Sequence, residues 1–134
     1  INYAIALEAA LKLQETTYAR AKAFATSDFQ HGPFAMVDRE IPVIIFAPDG
    51  PSVPYTREMV EKLKPKQVEL IIVSNRKDFL ESATCGFSIP ETDNDIISPY
   101  FNAAVAQMFA CRLSLEKGLN PDSPRDLNKV TVTK

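Results

Sequence analysis

The sequence is short of the features that mark membrane, nucleic-acid and metal-binding proteins. No apolar run approaches the roughly 18 residues of a membrane-spanning helix, and no signal peptide precedes the first helical stretch. The net charge of −2 provides no basic field that would attract nucleic acid or an anionic membrane. The two cysteines, Cys85 and Cys111, have no metal-binding or redox spacing. This pattern favours reduced thiols in a cytoplasmic protein.

The composition that remains is that of one globular domain. The chain has 134 residues, of which 46% are hydrophobic and 24% charged, enough to bury a single core. It begins at Ile1, without an initiator Met, and enters helical sequence directly. We therefore expect residues 1–134 to be one domain, cut from a longer protein.

The N-terminal stretch predicts one long helix. Residues 3 to about 26 contain neither proline nor glycine. Leu7, Leu11 and Tyr18 recur at helical spacing, which predicts that they form its buried apolar stripe.

A second long helix is predicted from Ser98 to about Lys117. Ser98 would be its N-cap, Pro99 its first helical residue, and Gly118 its end. Its predicted buried face consists of five apolar side chains: Phe101, Ala104, Val105, Met108 and Leu115.

Three apolar runs, residues 41–48, 68–75 and 86–91, predict strands. The first two are continuous and β-branched, which is typical of parallel strands buried on both faces. Residues 55–63 predict a short helix between them. Strands that alternate with helices indicate an α/β fold of three layers, in which helices flank both faces of a mostly parallel sheet. Three strands are few for such a sheet, so we expect its first strand to lie before Ile1.

One helix face carries candidate acid–base chemistry. Glu8, Lys12 and Glu15 are spaced i, i+4, i+7 and so share one side of the predicted helix. A solvated, ion-paired face is one interpretation. The other starts from the position of Glu15 at the border of the apolar stripe, because a partly buried carboxylate would have a raised pKa suited to proton transfer.

Two further residues have both an ordinary and a chemical interpretation. His31, the only histidine, is either a surface residue at a helix-to-turn junction or an acid–base imidazole that Gly32 and Pro33 hold in position. Lys129, in the polar tail, is either one of many surface lysines or, if the tail is buried, a desolvated amine that attacks a carbonyl.

Residues 6–38 (ALEAALKLQETTYARAKAFATSDFQHGPFAMVD) and 123–134 (SPRDLNKVTVTK) carry a family resemblance. Together they resemble the second sugar-isomerase (SIS) domain of the glucosamine-6-phosphate synthase family. The specific parts are the A-L-E-x-A-L-K-L-x-E helix, the H-G-P turn and the P-R-x-L-x-K ending, found here in the same order.

The resemblance implies an α/β domain that binds phosphosugars as half of a two-SIS-domain isomerase, and that residues 1–134 are a fragment from the C-terminal part of a longer protein. It implies that His31, reaching into the neighbouring subunit's site, assists sugar ring opening, and that Glu15 moves a proton between C1 and C2. Lys129 would form a Schiff base with the ketose carbonyl, and Lys12 would contact the same site. The implied partners are a sugar phosphate, the preceding SIS domain and a second subunit of a homodimer; no cofactor or metal is expected.

Geometry supports the use of a second subunit. On a continuous helix His31 would lie up to about 24 Å of helical rise from Glu15, too far for both to serve one sugar easily unless the chain folds back. We therefore expect the site to lie at a subunit interface.

The sequence departs from the family pattern at three positions. Ala9 stands where the family usually has Gly, Gln14 where it often has Lys, and Lys22 where an acidic residue is common. The family's Ser/Thr-rich phosphate loop and glutaminase nucleophile have no match here.

Related enzymes leave alternatives open. Amino-sugar-phosphate deaminases and deglycases share the two-SIS layout, so the isomerase-type site is better supported than the aminotransferase reaction. A non-catalytic module that senses a sugar phosphate is the second alternative. The complete Glu15, His31 and Lys129 set disfavours it, because sensing does not need a Schiff-base lysine.

Overall fold

A computed structural model describes residues 1–92, 94 and 96–127. Its five helices and three strands within this part of the chain are α1 (Asn2–Thr17), α2 (Thr26–Phe29), β1 (Val43–Phe46), α3 (Val53–Leu63), β2 (Leu70–Ser74), α4 (Lys77–Glu81), β3 (Cys85–Ser88) and α5 (Ser98–Glu116). Short 3₁₀ turns occupy Pro33–Met36 and Lys64–Lys66.

The strands form a parallel sheet in the order β1-β2-β3. Val43 pairs with Leu70 and Ile71 with Cys85, which confirms the predicted parallel α/β sheet. β2 is buried along its whole length. β1 is only half-buried, however, and β3 is mostly exposed. The prediction that the first strand is buried on both faces is therefore wrong, because among the described strands β1 is an edge of the sheet.

Helices cover both faces of the sheet, as predicted. On one face α3 and α4 enclose the main core, whose buried members are Val37, Ala47, Met59, Val60, Leu63, Val68, Leu70, Ile72 and Phe79. On the other face α1 and α5 pack against each other and against the sheet, where Leu13 and Phe109 approach Ile71 and Val73. The result is the expected three-layer arrangement.

The first helix ends nine residues earlier than predicted, at Thr17 rather than near residue 26. Tyr18 adopts a left-handed conformation with φ 58°, which stops the α-helix. The Oγ of Ser114 donates a hydrogen bond to the carbonyl of Thr16, and the Nζ of Lys117 donates one to the carbonyl of Thr17. These contacts satisfy carbonyls that a helix end leaves without partners.

The predicted buried face of α1 is also wrong. Leu7 and Leu11 are 49% and 45% exposed, and Tyr18 is half-buried beyond the helix end. The buried residues are instead Ala9, Ala10, Leu13 and Thr17.

In α5 as well, the buried residues lie on a different side of the helix from the predicted one. Met108 and Leu115 are 69% and 50% exposed. Its buried residues are Ser98, Pro99, Asn102, Ala106, Ala110 and Ser114. The prediction assigned burial to the larger apolar side chains. The contact between the two helices instead buries mostly small ones, which let two helices approach closely.

The ends of α5 are nearly as predicted. Ser98 is the first helical residue rather than the cap before it, a shift of one position. At the other end Gly118, with φ 70°, donates to the carbonyl of Leu115, and Leu119 donates to that of Ser114, both at 2.9 Å. This pair of bonds is a Schellman motif, which glycine favours because it has no Cβ.

Candidate functional site

Lys12 and Glu15 form the closest charged pair on α1. The Nζ of Lys12 lies 2.7 Å from Oε2 of Glu15 and 3.9 Å from Oε1 of Glu8. About a third of the Lys12 side chain and a quarter of the Glu15 side chain are exposed. The hydrogen bond to Glu15 raises the pKa of Lys12; partial burial opposes this, and the charges of Glu15 and Glu8 add to it. The three residues share one face, as predicted.

Glu15 lies in the last turn of α1, a part of the helix held by several contacts. The buried Oγ1 of Thr17 donates to the carbonyl of Leu13 at 2.6 Å. Together with the bonds from Ser114 of α5 and from Lys117, the C-cap residue after it, this bond fixes the turn that carries Glu15. Such a position suits a group that must be placed accurately.

The C-terminal tail returns to this same end of α1. The backbone N–H of Arg125 donates to the phenol oxygen of Tyr18 at 2.8 Å, and its guanidinium carbon lies 3.9 Å from the ring centroid. The hydrogen bond from the Arg125 backbone is the largest cause of a lowered pKa for Tyr18, and the hydrogen bond from the Arg125 side chain is the next. Lys129 itself lies outside the described residues, but the tail is held beside α1 only four residues before it.

His31 is exposed on the turn that follows α2. Its backbone N–H donates to the carbonyl of Asp28 at 3.1 Å, and the next residue, Gly32, has φ 149°. On either side of the turn the rings of Phe29 and Phe34 pack edge to face, with centroids 5.9 Å apart. The turn is thus anchored on both sides while the imidazole is presented outward.

Within one chain, the structure shows no contact between His31 and the Lys12–Glu15 pair of α1 among the described residues. Among the described residues, no hydrogen bond or ion pair connects it to Lys12 or Glu15. The estimate of about 24 Å along a continuous helix no longer applies, because α1 ends at Thr17 and residues 18–25 are not helical. The expectation of a site shared between subunits remains a prediction.

An ion-pair network at the carboxyl end of the sheet was missed by the sequence analysis. Arg76 contacts Asp49 at 2.7 Å and Asp78 at 3.1 Å, and Arg57 contacts Asp78 at 2.6 Å. Burial raises the pKa of Asp78, but the hydrogen bonds from Arg76 and Arg57 outweigh it, and the net shift is downward. The available signal was the position of Asp49 and Arg76 just after two strands, where α/β sheets hold ligands. Both arginines are already paired, so the network fixes the loops.

The SIS domain family model matches residues 1–117. This chain is a SIS domain. The SIS domain is 35% identical over 133 residues to a glutamine–fructose-6-phosphate aminotransferase (isomerizing) of Methanothermobacter thermautotrophicus, with 97% of this chain aligned. It spans only 22% of that relative's length. This SIS domain is therefore homologous to the isomerase part of such aminotransferases.

Solved structures show the same fold. The C-terminal domain of the glucosamine-fructose-6-phosphate aminotransferase of Francisella tularensis superposes with a TM-score of 0.81 at 24% identity, over 91% of this chain and 35% of that one. The tagatose-6-phosphate ketose/aldose isomerase of Escherichia coli gives 0.75 at 25% identity, over 91% of this chain and 35% of that one. In the described part of the SIS domain, no helix has the length and apolar character needed to span a membrane.

Proposed function

We propose that this SIS domain supplies half of the isomerase site of a phosphosugar aminotransferase or isomerase. The observation that carries the proposal is the meeting of two chain segments at the end of α1: the Lys12–Glu15 pair and the tail held by Tyr18 and Arg125. The first places a carboxylate, and the second holds Arg125, four residues before the candidate nucleophilic lysine, at the same end of the helix.

The short chain distances from Arg125 to Lys129 and from Tyr18 to Glu15 support this proposal. Four peptide units separate Arg125 from Lys129, which limits their Cα separation to about 14 Å. Tyr18 follows Glu15 by three residues, so the two Cα atoms are about one helical turn apart. A lysine and a carboxylate that act on one sugar are the two groups that imine formation and proton transfer require.

In the proposed reaction Lys129 attacks the C2 carbonyl of an open-chain ketose phosphate, and water leaves to give an imine. A free amine then displaces Lys129 from C2. This exchange regenerates the lysine amine and leaves the nitrogen of the incoming amine on the sugar. Glu15 then takes a proton from C1 and returns it to C2, while the proton of the C1 hydroxyl passes to the nitrogen. Together these transfers convert the imine into an amine and the C1 alcohol into an aldehyde. Lys12, paired with Glu15 at 2.7 Å, orients the carboxylate and contacts the sugar.

His31 opens the sugar ring in this scheme, and it does so in the site of a neighbouring subunit. Its exposed position on an anchored turn suits a group that is offered to another chain. The active full-length protein is then a homodimer at least. A monomeric active enzyme in analytical ultracentrifugation would contradict this role.

Trapping of the imine tests the proposal in the full-length protein. Borohydride added during turnover of a ketose phosphate should reduce the imine to a secondary amine on Lys129, identified by peptide mass spectrometry. Lys129→Arg should abolish trapping and most turnover, since a guanidinium stays protonated. The matched tail variant Lys134→Arg should keep both. Full activity in Lys129→Arg would refute the covalent step.

A second variant separates proton transfer from imine formation. Glu15→Gln should still be trapped by borohydride, because Lys129 is intact. It should lose solvent deuterium exchange at C1 and about 10²–10⁴-fold of the turnover rate, the usual contribution of a general acid–base group. Unchanged exchange in Glu15→Gln would assign the proton transfer to another residue.

A further inference from the structure

The segment that leaves the His31 turn is held by a side chain from a distant part of the chain. Lys66 is the last residue of the short 3₁₀ turn that follows α3. Its Nζ donates a hydrogen bond to the carbonyl of Val37 at 2.7 Å and lies 4.6 Å from the ring centroid of Phe34. One ammonium group therefore joins the end of α3 to the residues that come directly after the turn.

Lys66 differs from the neighbouring lysines in its burial. Lys62 and Lys64 are exposed and form ion pairs with the nearby Glu58 and Glu61, contacts that are worth little in water. Lys66 is half-buried and contacts a carbonyl and the face of an aromatic ring. An ammonium group that has lost part of its water needs such partners. The contacts of Lys66 thus have a defined geometry that an ordinary surface lysine lacks.

The contacts of Lys66 continue to the other side of the turn. The ring of Phe34 packs edge to face on that of Phe29, with centroids 5.9 Å apart, and both rings pack against the α3–α4 core. Only residues 30–33 connect the two phenylalanines along the chain, and His31 is one of them. Whatever fixes Phe34 therefore also limits where the backbone of His31 can lie.

The His31 imidazole depends on this backbone for its orientation. The residue is exposed, and among the described residues its side chain makes no hydrogen bond or ion pair; its backbone N–H donates to the carbonyl of Asp28. Pro33, two residues later, has a fixed φ angle. The direction of the imidazole is therefore set by the residues that hold the two ends of the turn.

A second lysine contacts the residue before His31, but more weakly. The Nζ of Lys62 donates to Oε1 of Gln30 at 2.8 Å and is shared with Glu58. This contact is exposed, so we expect it to contribute little. Lys66 is accordingly the main link between α3 and the turn.

We propose that Lys66 is a positioning residue for ring opening: it holds residues 34–37 and, through the contact between Phe34 and Phe29, fixes the direction of the His31 imidazole. The inference rests on the proposed function, in which His31 opens the sugar ring in a neighbouring subunit. A group that acts on a substrate held by another chain must be oriented by its own chain, and a displacement of about 1 Å can cost about 10²-fold in rate.

Two substrates that differ only in cyclisation test this role in the full-length protein. Fructose 6-phosphate closes its ring through the 5-hydroxyl, whereas its 5-deoxy analogue cannot cyclise and needs no ring opening. Lys66→Met keeps the apolar stem but removes the charge and the donor. Its turnover of fructose 6-phosphate should fall by about 10- to 10²-fold, with little change for the analogue. A general loss of stability would slow both substrates alike.

Two further lysine variants serve as controls. Lys66→Arg keeps a cation for the ring and a donor for the carbonyl, so it should restore most of the turnover. Lys64→Met removes the same group from an exposed neighbouring position and should leave both substrates at the wild-type rate. Equal slowing of the two substrates in Lys66→Met, or unchanged turnover of both, would overturn the proposal.

Hydrogen exchange reports on the turn without any substrate. In Lys66→Met the backbone amides of residues 28–37 should exchange faster than in wild type, because the turn has lost a contact that restrains it. Lys64→Met should leave this exchange unchanged. Wild-type protection of residues 28–37 in Lys66→Met would overturn the proposal whatever the kinetics show.

His31→Ala separates this proposal from the proposed function. It should slow the turnover of fructose 6-phosphate by about 10²–10⁴-fold and spare the 5-deoxy analogue. If it slows both substrates or neither, the ring-opening role of His31 fails, and hydrogen exchange still decides whether Lys66 holds the turn. If His31→Ala is selective and Lys66→Met is not, the proposed function stands and only the positioning role of Lys66 fails.

Discussion

The two faces of the sheet differ in how completely they are built. On the α3–α4 side nine buried residues form a closed core, and the eleven residues of α3 include Arg57, Glu58, Glu61 and Lys62, the charged residues that a water-facing helix needs. On the α1–α5 side the contact is made by small side chains, and the outer surface of α5 is almost uncharged. The first side holds the fold together, whereas the second leaves large apolar side chains exposed.

Most of the buried polar side chains in the described part of the chain lie on the α1–α5 side; the others are Thr56 of α3 and Ser74 of β2. Thr17, Asn102 and Ser114, all on α1 or α5, are 0% exposed. Polar contacts of this kind fix the relative position of two helices more than they add to stability, because each must repay the loss of water. The polar contacts on the α1–α5 side, which carries Lys12 and Glu15, thus mainly fix how the two helices are aligned. The apolar core on the α3–α4 side mainly provides stability.

The largest expected effect tests the closed core. Leu63 is 0% exposed in the α3–α4 core, so Leu63→Ala should lower the free energy of unfolding by about 2–5 kcal/mol. Leu115→Ala removes a half-exposed side chain and should cost no more than about 0.5 kcal/mol within this chain. Urea denaturation of both variants measures the difference. Equal losses would show that the two sides contribute alike, contrary to the comparison.

A smaller effect is expected from the bond that closes the end of α1. Ser114→Ala removes the donor to the Thr16 carbonyl at 2.8 Å and should cost about 1–2 kcal/mol, because a partly buried acceptor loses its partner. The control Ser27→Ala alters an exposed hydroxyl and should change stability by no more than about 0.5 kcal/mol. If both variants unfold at the wild-type urea concentration, the α1–α5 alignment does not depend on this bond.

Acid should weaken the α3–α4 side through Asp78. The pKa of Asp78 is lowered in the folded state, so its contribution is present above the ordinary carboxyl pKa near 4 and is lost as the pH falls through the lowered value. Because Asp78 is more than a third exposed, we expect the contribution to stay below about 1 kcal/mol. Stability measured from pH 6 to 2 should therefore fall less in Asp78→Asn than in wild type or in Asp122→Asn, an exposed control. Parallel curves would refute the assignment.

The smallest effect on stability, but a distinct optical signal, is expected from Tyr18. Arg125 lowers the pKa of the Tyr18 phenol, so its contribution appears above the ordinary phenol pKa near 10 and vanishes as the pH falls through the lowered value. Stability at neutral pH is then almost unchanged by this titration. Ultraviolet titration of phenolate should show a tyrosine that ionises early, absent in Tyr18→Phe and retained in Tyr55→Phe. An early component that survives in Tyr18→Phe would contradict the contact.

The sequence was sufficient for the sheet and for much of the helix pattern. The continuous apolar run in β2 and the helix between β1 and β2 follow from local composition, and Gly118 marks the end of α5 because a left-handed residue is needed there. The face shared by Lys12 and Glu15 follows from spacing alone, since i, i+3 neighbours meet on any α-helix.

The features that were predicted wrongly depend on distant parts of the chain. α1 ends at Thr17 because Ser114, Lys117 and Arg125 contact its last turn and Tyr18, and these partners lie about a hundred residues away. Local sequence contains no glycine or proline to mark the end. Large apolar residues were assigned to the interior of α1 and α5, but the contact between the helices selects small ones.

Gly32 places an unusual limit on variation beside His31. A Cβ at this position would meet nothing within 4 Å, so by packing alone any residue fits. Its φ of 149° is nevertheless a conformation that side-chain-bearing residues rarely adopt. In a mutational tolerance map, this open, exposed position should therefore be as restrictive as the interior. A substitution of Gly32 would therefore change the backbone conformation of the turn, and with it the orientation of the His31 side chain.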